Sequence, residues 1–149
     1  MVKNALWRMM LALLFIGITF NVAQVSSSPQ IKAQVNLSRH VFRGLGDLED
    51  PWQFIYVNNP TGQTVEIESI EFDVYSGDFQ LSGVYTPDML PERWNAEVLP
   101  FEKSLVFYYG WLVVEGEPEG VYFCYITINA VVMGQTIELK TRTTFVVLL

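Results

Sequence analysis

The stretch VYFCYITINAVVMGQTIELKTRTTFVV, residues 121–147, decides the fold. Its first half, 121–133, is rich in β-branched and aromatic residues, which favour strands. Gly134-Gln135 then predicts a tight hairpin turn. The second half alternates with a period of two, and one of its faces carries Ile137, Leu139, Thr141, Thr143, Phe145 and Val147. The stretch therefore predicts a hairpin of two long strands.

The same period of two extends back towards residue 31. Five further strands are predicted at 31–37, 52–57, 64–75, 79–85 and 104–114. The apolar phase of 64–75 switches from odd to even, which predicts a bulge near Ser69 or a strand that passes between sheets. About seven strands, with no amphipathic helix, predict an all-β protein, more finely an antiparallel β-sandwich.

Two kinds of segment separate these strands. Turn residues at 58–62 and 76–78 predict short connections. The segment 86–100 contains three prolines, and it predicts a long connection with one helical turn around Pro91.

Residues 1–28 differ from the rest of the chain. Lys3 and Arg8 precede an apolar run at 9–20, and small polar residues follow that run. These are the three parts of a secretory signal peptide. A helix of that length spans about 18 Å, whereas the hydrocarbon core of a bilayer measures ~30 Å. We expect a cleaved signal peptide or a retained N-terminal membrane anchor, followed by one extracytoplasmic domain at 29–149, which is periplasmic, on the cell surface or secreted.

Composition excludes several classes of function. The chain has 149 residues, of which 50% are hydrophobic, and one cysteine. A single cysteine excludes an intramolecular disulfide framework and a zinc site built from cysteines. Without Lys3 and Arg8, seven basic residues face sixteen acidic ones, which gives a net charge of −9. Such an acidic domain argues against nucleic acid as a partner.

Two local patterns carry a resemblance to a known family. The first is the turn at 56–62, which follows an aromatic strand, and the second is Pro118-Glu119-Gly120-Val121-Tyr122, which leads into the strand at 121–133. Together they resemble immunoglobulin-like domains of bacterial and archaeal cell-envelope proteins. The resemblance implies a corner in which the Tyr122 hydroxyl ties back to upstream backbone. The family includes adhesin and filament subunits, inhibitors, assembly chaperones and accessory domains of enzymes, so the fold narrows function little.

The aromatic surplus supplies the candidate binding residues. The strands 104–114 and 121–133 are apolar on both phases, although a sandwich strand needs only one apolar face. Either the connection 86–100 covers the second face, or that face binds another protein or stacks on sugar rings. The candidate partner-binding residues are Trp94, Tyr108, Phe123 and Tyr125.

Other residues suggest chemistry only weakly. The acidic loops 46–50 and 115–120 offer oxygens for calcium, although a solvated loop is the favoured interpretation. Glu66, Glu68, Glu71 and Asp73 lie on one strand, where neighbours two apart are roughly 7 Å from each other, but exposed strands often carry such acids. Isolated candidates are a Ser38–His40–Asp47 triad, a Cys124 nucleophile and an Asn36 glycosylation site. The favoured interpretations are an exposed loop histidine, a buried inert thiol and a chance occurrence of the glycosylation pattern.

These observations predict an exported, non-enzymatic domain without a cofactor, which acts in protein–protein interaction or structural assembly in the cell envelope. The expected partner is another envelope protein or a second copy of the chain, and a membrane is contacted only through an uncleaved N-terminal segment. Two alternatives stay open. One is a carbohydrate-binding module that uses an exposed aromatic sheet face, and the other is a proteinase-inhibitor-like or assembly-chaperone-like domain.

Overall fold

The computed structural model describes residues 30–43, 52–110 and 119–148, which form an all-β structure. The predicted leader at 1–28 and the acidic segments 46–50 and 115–118 lie outside the described residues. Within the described part of the chain, no helix is long and apolar enough to cross a membrane.

The strands follow each other along the chain in the predicted order. Nine are described: β1 (Lys32–Leu37), β2 (Val41–Arg43), β3 (Trp52–Asn58), β4 (Val65–Ser76), β5 (Phe79–Tyr85), β6 (Glu97–Val98), β7 (Lys103–Gly110), β8 (Gly120–Val132) and β9 (Gln135–Leu148). The seven longer ones correspond to the seven predicted strands, and residues 111–114 of the predicted strand 104–114 lie outside the described residues. A short 3₁₀ helix at Pro91–Arg93 confirms the helical turn expected in the connection 86–100.

The strands form two sheets that share one hydrophobic core. The small sheet has the order β1-β3-β7, and the large sheet has the order β2-β9-β8-β4-β5, with β6 paired to β4. Phe72 of the large sheet contacts Phe107 and Tyr109 of the small sheet, with ring centroids 6.3 and 4.4 Å apart. The buried residues of both sheets belong to the same apolar cluster, which includes Ile55, Val74 and Ile126.

One pairing departs from the antiparallel arrangement that the sequence predicts. β2 runs parallel to β9, with Val41 opposite Val146 and Phe42 opposite Val147. The chain passes from the small sheet to the large sheet between β1 and β2. Phe42 fixes this crossing, because its ring is buried and lies edge-on to Phe145 at 5.6 Å. The three-residue β2 was not predicted because it is too short to show a period.

A bulge interrupts β4 where the apolar phase switches. The pairing of β4 with β8 shifts register between Ile67 and Ser69. Val65 and Ile67 are buried before the bulge, and Ile70 is buried after it. The predicted bulge near Ser69 is confirmed, and the extra residue keeps apolar side chains of both phases in the core.

A second bulge, in β7, was not predicted. Ile55 pairs with Phe107 and Tyr56 pairs with Leu105, so Val106 is the extra residue. As a result Val106 and Phe107 are both buried. The carbonyl of Val106 accepts a hydrogen bond from the backbone N–H of Asn95 at 2.8 Å, which attaches the connection 86–100 to this strand.

The hairpin between β8 and β9 turns one residue earlier than predicted. Its central residues are Met133 and Gly134, with φ values of 53° and 75°. Two successive positive φ angles are typical of a type I′ turn, which matches the twist of the flanking strands. Gly134 adopts this conformation without strain, whereas Met133 carries a Cβ that disfavours it.

A buried asparagine joins two loops next to the core. The Asn59 side-chain Nδ2 donates to the carbonyls of Gln63, Val98 and Leu99 at 2.6, 3.2 and 3.1 Å. Its Oδ1 accepts from the backbone N–H and the hydroxyl of Thr61 at 3.1 and 2.7 Å. The predicted turn after β3 is therefore tied to the end of β6 by one amide group.

Candidate interaction surfaces

The outer face of the large sheet carries an exposed apolar patch. We define the β8 patch as Tyr75, Val121, Phe123 and Tyr125, with exposed fractions of 37%, 48%, 48% and 45%. Tyr75 lies directly opposite Phe123 in the ladder, and its ring meets that of Tyr125 edge-on at 6.0 Å. Because β8 is paired on both sides, these side chains stand on a rigid base.

Polar side chains border the β8 patch on the same face. On β4, Asp73 accepts a hydrogen bond from the Ser82 hydroxyl at 2.6 Å. Glu71 accepts from Asn129 Nδ2 at 2.8 Å. On the opposite side, Arg142 of β9 pairs in the ladder with Tyr125. An apolar centre with a polar rim is the usual anatomy of a protein interface.

The outer face of the small sheet carries a second aromatic group. We define the β3 cluster as Trp52, Phe54, Tyr56 and Tyr108, all half-buried. The rings of Phe54 and Tyr108 lie within 24° of parallel, with centroids 6.5 Å apart, and Trp52 lies 6.0 Å from Tyr108. In β3 the fully buried residues are instead Gln53, Ile55 and Val57.

Two cations lie over the rings of the β3 cluster. The Arg93 guanidinium is 5.7 Å from the Trp52 ring and 5.9 Å from the Tyr108 ring. The Lys103 ammonium is 5.2 Å from the Tyr56 ring. These are cation–π distances. Arg93 belongs to the connection 86–100, so that connection covers part of the small sheet while the β8 patch stays exposed.

The structure separates the four predicted partner-binding residues. Phe123 and Tyr125 lie together in the β8 patch, whereas Tyr108 belongs to the β3 cluster on the opposite side of the molecule. Trp94 lies at neither surface patch. Its ring packs on that of Phe107 with centroids 4.5 Å apart, and it is partly buried against the core.

The two apolar strands that suggested a binding surface are not neighbours. The sequence interpretation treated 104–114 and 121–133 as adjacent strands whose outer faces need a cover or a partner. That placement is wrong, because β7 belongs to the small sheet and β8 to the large sheet. The interpretation counted both apolar phases of β7 as regular, although the Val106 bulge turns two successive residues inward.

The four carboxylates considered for chemistry lie on a partly exposed strand face. Glu66 and Glu68 are exposed, and Glu71 and Asp73 are half-buried with the neutral partners Asn129 and Ser82. Among the described residues, no group of three or more potential metal ligands could hold an ion. Within this part of the chain, the four acids resemble a solvated strand face.

Ser38, His40 and Asn36 each lie within hydrogen-bond distance of a neighbouring group. The Ser38 hydroxyl accepts a hydrogen bond from the backbone N–H of Trp52 at 2.9 Å. An exposed His40 ring nitrogen lies 3.3 Å from the Thr144 carbonyl. Asp47 lies outside the described residues. Asn36 lies on the exposed face of β1, and its Oδ1 accepts a hydrogen bond from Gln34 Nε2 at 2.9 Å.

Cys124 lies in the core and has the environment of an unreactive thiol. Its Sγ lies 3.9 Å from the Tyr109 hydroxyl and 3.8 Å from Gln53 Oε1. Burial raises the pKa of this thiol to about 11, against two weaker hydrogen bonds that lower it. The thiolate needed for nucleophilic attack is therefore disfavoured.

Sequence reasoning overlooked Tyr75 and the aromatic group on β3. Tyr75 follows the buried phase of Ile70, Phe72 and Val74, and a residue one step out of that phase lies on the outer face. Trp52, Phe54 and Tyr56 alternate with the residues that proved to be buried. The alternation was visible, but it did not show which phase faces the core.

The comparisons with known proteins place no function on this chain. No family model and no curated protein matches it. Solved structures with some similarity include Spo0M, a sporulation control protein from Bacillus subtilis, at 13% identity, with 82% of this chain and 51% of that chain covered and a TM-score of 0.48. The chain thus spans about half the length of that protein.

Two further similarities are equally distant. A protein described as of the late embryogenesis abundant class has 15% identity and a TM-score of 0.47, with 97% of this chain and 87% of that chain covered. The alkylpurine DNA glycosylase AlkC of Pseudomonas fluorescens has 8% identity and a TM-score of 0.49, with 83% and 32% covered. All three scores lie below 0.5, so these similarities assign no function to the chain.

Proposed function

We propose that this chain is an exported, non-enzymatic domain that binds another protein in the cell envelope through the β8 patch. The observation that carries the proposal is the group of four apolar side chains, each more than a third exposed, on the paired central strands of the large sheet. Isolated exposed apolar residues are ordinary, whereas a contiguous group with a polar rim is typical of an interaction site.

The physical driving force is burial of aromatic surface. Tyrosine and phenylalanine dominate interface energetics because each ring buries a large area at a small cost in side-chain entropy. The paired strands β4, β8 and β9 hold the rings in place, so little conformational freedom is lost on binding. The hydroxyls of Tyr75 and Tyr125 add hydrogen-bonding groups to the patch.

An immunoglobulin-like sandwich is the architecture that we propose for the domain. Two packed sheets around one core support it, as does the burial of Tyr122, which stacks on Phe145 with ring planes 10° apart. Export is proposed from the charge and apolar pattern of residues 1–28 alone.

Site-specific photo-crosslinking tests the proposal. A benzophenone amino acid is placed at Phe123 or at Tyr125 in the full-length chain, which is then irradiated in the cells that make it. We expect a covalent adduct with a protein from both positions. Phe101 is the matched control, because it is an aromatic residue with 77% exposure on the loop between β6 and β7.

The control decides whether an adduct is specific. Adducts at 123 and 125 but not at 101 support binding at the β8 patch. An equal yield at 101, or no protein adduct at 123 and 125, contradicts the proposal.

A carbohydrate-binding role through the β3 cluster is the second candidate. The nearly parallel rings of Phe54 and Tyr108 favour it, since sugar rings stack on such aromatic faces. Gln34 and Asn36 on the neighbouring strand supply polar groups. The test is a glycan array with Tyr108→Ala. Binding that this variant abolishes, and that Phe123→Ala retains, would favour the second candidate; no glycan binding by the unaltered chain would reject it.

A further inference from the structure

The charges around the β8 patch are arranged in two columns of opposite sign. Arg142, Tyr125 and Asp73 occupy one row across three strands, because Tyr125 pairs with both of the others. The next row along the strands contains Lys140, Thr127 and Glu71. In these two rows β9 therefore presents a basic column on one side of β8, and β4 presents an acidic column on the other side. Glu138 follows in the next row of β9.

These columns do not neutralise each other within one molecule. They are two strand spacings apart, which is about 10 Å. Among the described residues, the ion pair of Lys140 is with Glu138 on its own strand at 3.0 Å, and both side chains are more than half exposed. Within the same part of the chain, Arg142 has no ion pair, and the bonded partners of Asp73 and Glu71 are neutral.

We propose that a second copy of this chain packs on the β8 patch, related by a two-fold axis parallel to β8. A rotation of 180° about that axis exchanges the two sides of β8 and keeps each row at its height. Arg142 of one copy then faces Asp73 of the other, and Lys140 faces Glu71. Both pairs occur twice, as an isologous interface requires.

The charge pattern also selects the direction of the axis. An in-plane axis perpendicular to β8 would place β9 over β9 and bring the basic columns together, which like-charge repulsion disfavours. With the axis along β8, the Tyr125 rings of the two copies meet near its centre. The sheets would pack in the aligned manner, with strands within about 30° of each other.

The area of the face fits a weak, reversible dimer. With the axis along β8, the strands that overlap in the two copies are β9, β8 and β4. Three strands spaced ~4.8 Å apart and five outward residues spaced ~6.8 Å apart give a face of about 490 Å². Two copies would bury roughly 1,000 Å², which is the size of weak, transient complexes. We therefore expect a reversible dimer that forms with rising concentration. This inference rests on the proposed function and names the partner.

Charge exchange in the full-length chain tests the arrangement. Arg142→Glu alone and Asp73→Arg alone each place like charges opposite each other twice, so each is expected to weaken dimerisation at least about 10-fold. The double variant restores both pairs and is expected to return to within about 3-fold of the unaltered chain. Lys32→Glu on β1 is the matched control, since it changes charge on the small sheet. Sedimentation equilibrium measures the dimer, and circular dichroism confirms folding.

A cysteine trap tests the position of the axis. In the proposed dimer, Tyr125→Cys places the new thiols of the two copies next to each other across the axis. Mild oxidation should therefore yield a covalent dimer rapidly. Gln80→Cys on the edge strand β5 is the control and should not yield one. The buried Cys124 is common to both variants.

The outcomes separate the two proposals. Crosslinked adducts at Phe123 whose mass is twice that of the chain, together with rescue by the double variant, support the second copy. A monomer at all concentrations, or failure of the double variant to recover, overturns the two-fold dimer. If position 123 then captures a different protein, the proposed function stands; if it captures none, both fail.

Discussion

Replacement of Asn59 by aspartate exchanges an NH₂ group for an oxygen at a side chain that makes five hydrogen bonds. The Asn59 Nδ2 faces three carbonyl oxygens, of Gln63, Val98 and Leu99, at 2.6–3.2 Å. In Asn59→Asp an acceptor would face three acceptors in a site with no exposure to solvent. Because the two side chains are nearly isosteric, the substitution changes hydrogen bonding and charge but not packing.

The expected loss of stability follows from these contacts. Two donated hydrogen bonds disappear, at about 1 kcal/mol each, and a buried acceptor left without a donor costs about 1–3 kcal/mol more. Repulsion between the carboxylate and the three carbonyls adds to this. We expect a loss of roughly 3–5 kcal/mol, a large part of the stability of about 5–15 kcal/mol that is typical of a domain. For a domain of this size, that corresponds to a fall in Tm of about 10–20 °C.

The loss should depend on pH in a defined direction. The carbonyls favour the protonated carboxyl, so its pKa in the folded state rises above the value of about 3.9 in the unfolded chain. Between the two values the folded state binds more protons, so stability falls as pH rises. The deficit is therefore complete at neutral pH and shrinks as pH falls through the folded-state pKa. Thermal melts at pH 7 and pH 4.5 measure both effects.

Asn58→Asp is the matched control, because it adds the same charge at the neighbouring exposed position. It should shift Tm by no more than about 2 °C. If Asn59→Asp melts within about 3 °C of this control at pH 7, or if its deficit does not shrink in acid, then the Asn59 amide does not join the two loops as described.

Four further predictions concern stability and reactivity. Met133→Asn should raise Tm by about 3–5 °C in a thermal melt, because asparagine tolerates the positive φ of the turn; an unchanged or lower Tm would reject the type I′ assignment. Phe42→Ala should cost about 3–5 kcal/mol in urea unfolding, since it empties a buried site at the parallel strand, and a loss below about 1 kcal/mol would contradict that anchoring role. The Cys124 thiol should react with a thiol reagent at pH 8 only after unfolding, and rapid reaction of the native protein would contradict its burial. Burial also raises the pKa of Tyr109 well above its ordinary value. Because Cys124 and Tyr109 stay protonated in the folded state when they ionise in the unfolded chain, the free energy of unfolding should fall as pH rises above about 9. A free energy of unfolding that does not change with pH in this range would refute the prediction.

The regular strands could be predicted because apolar and polar residues alternate along a half-buried strand. The odd-to-even switch in β4 even located a bulge, since Val65 and Ile70 must both reach the core. The bulge in β7 is not accompanied by a switch of the apolar phase in the sequence. Leu105, Val106 and Phe107 are all apolar, and an unbroken apolar run cannot show where one residue is extra.

Which phase of a strand faces the core depends on the rest of the fold. In β3, Trp52 and Phe54 are larger and more aromatic than Gln53 and Ile55, yet the latter pair is buried. The assignment of strands to sheets has the same origin, because local sequence does not encode which strands are neighbours. Phe123 and Tyr125 were found as candidates because their strand is apolar on both phases. Tyr75 joins them through a cross-strand pairing that only the fold reveals.

The crossing of the chain from one sheet to the other has a mechanical consequence. Tension on the two ends of the chain would pull β2 towards its amino end and β9 towards its carboxyl end. Because these strands are parallel, the pull would shear their hydrogen bonds together rather than open them one at a time. The same short stretch, 32–43, is paired to both sheets, so it cannot be extracted without breaking each of them. Pulling on this stretch is therefore resisted by both sheets at once.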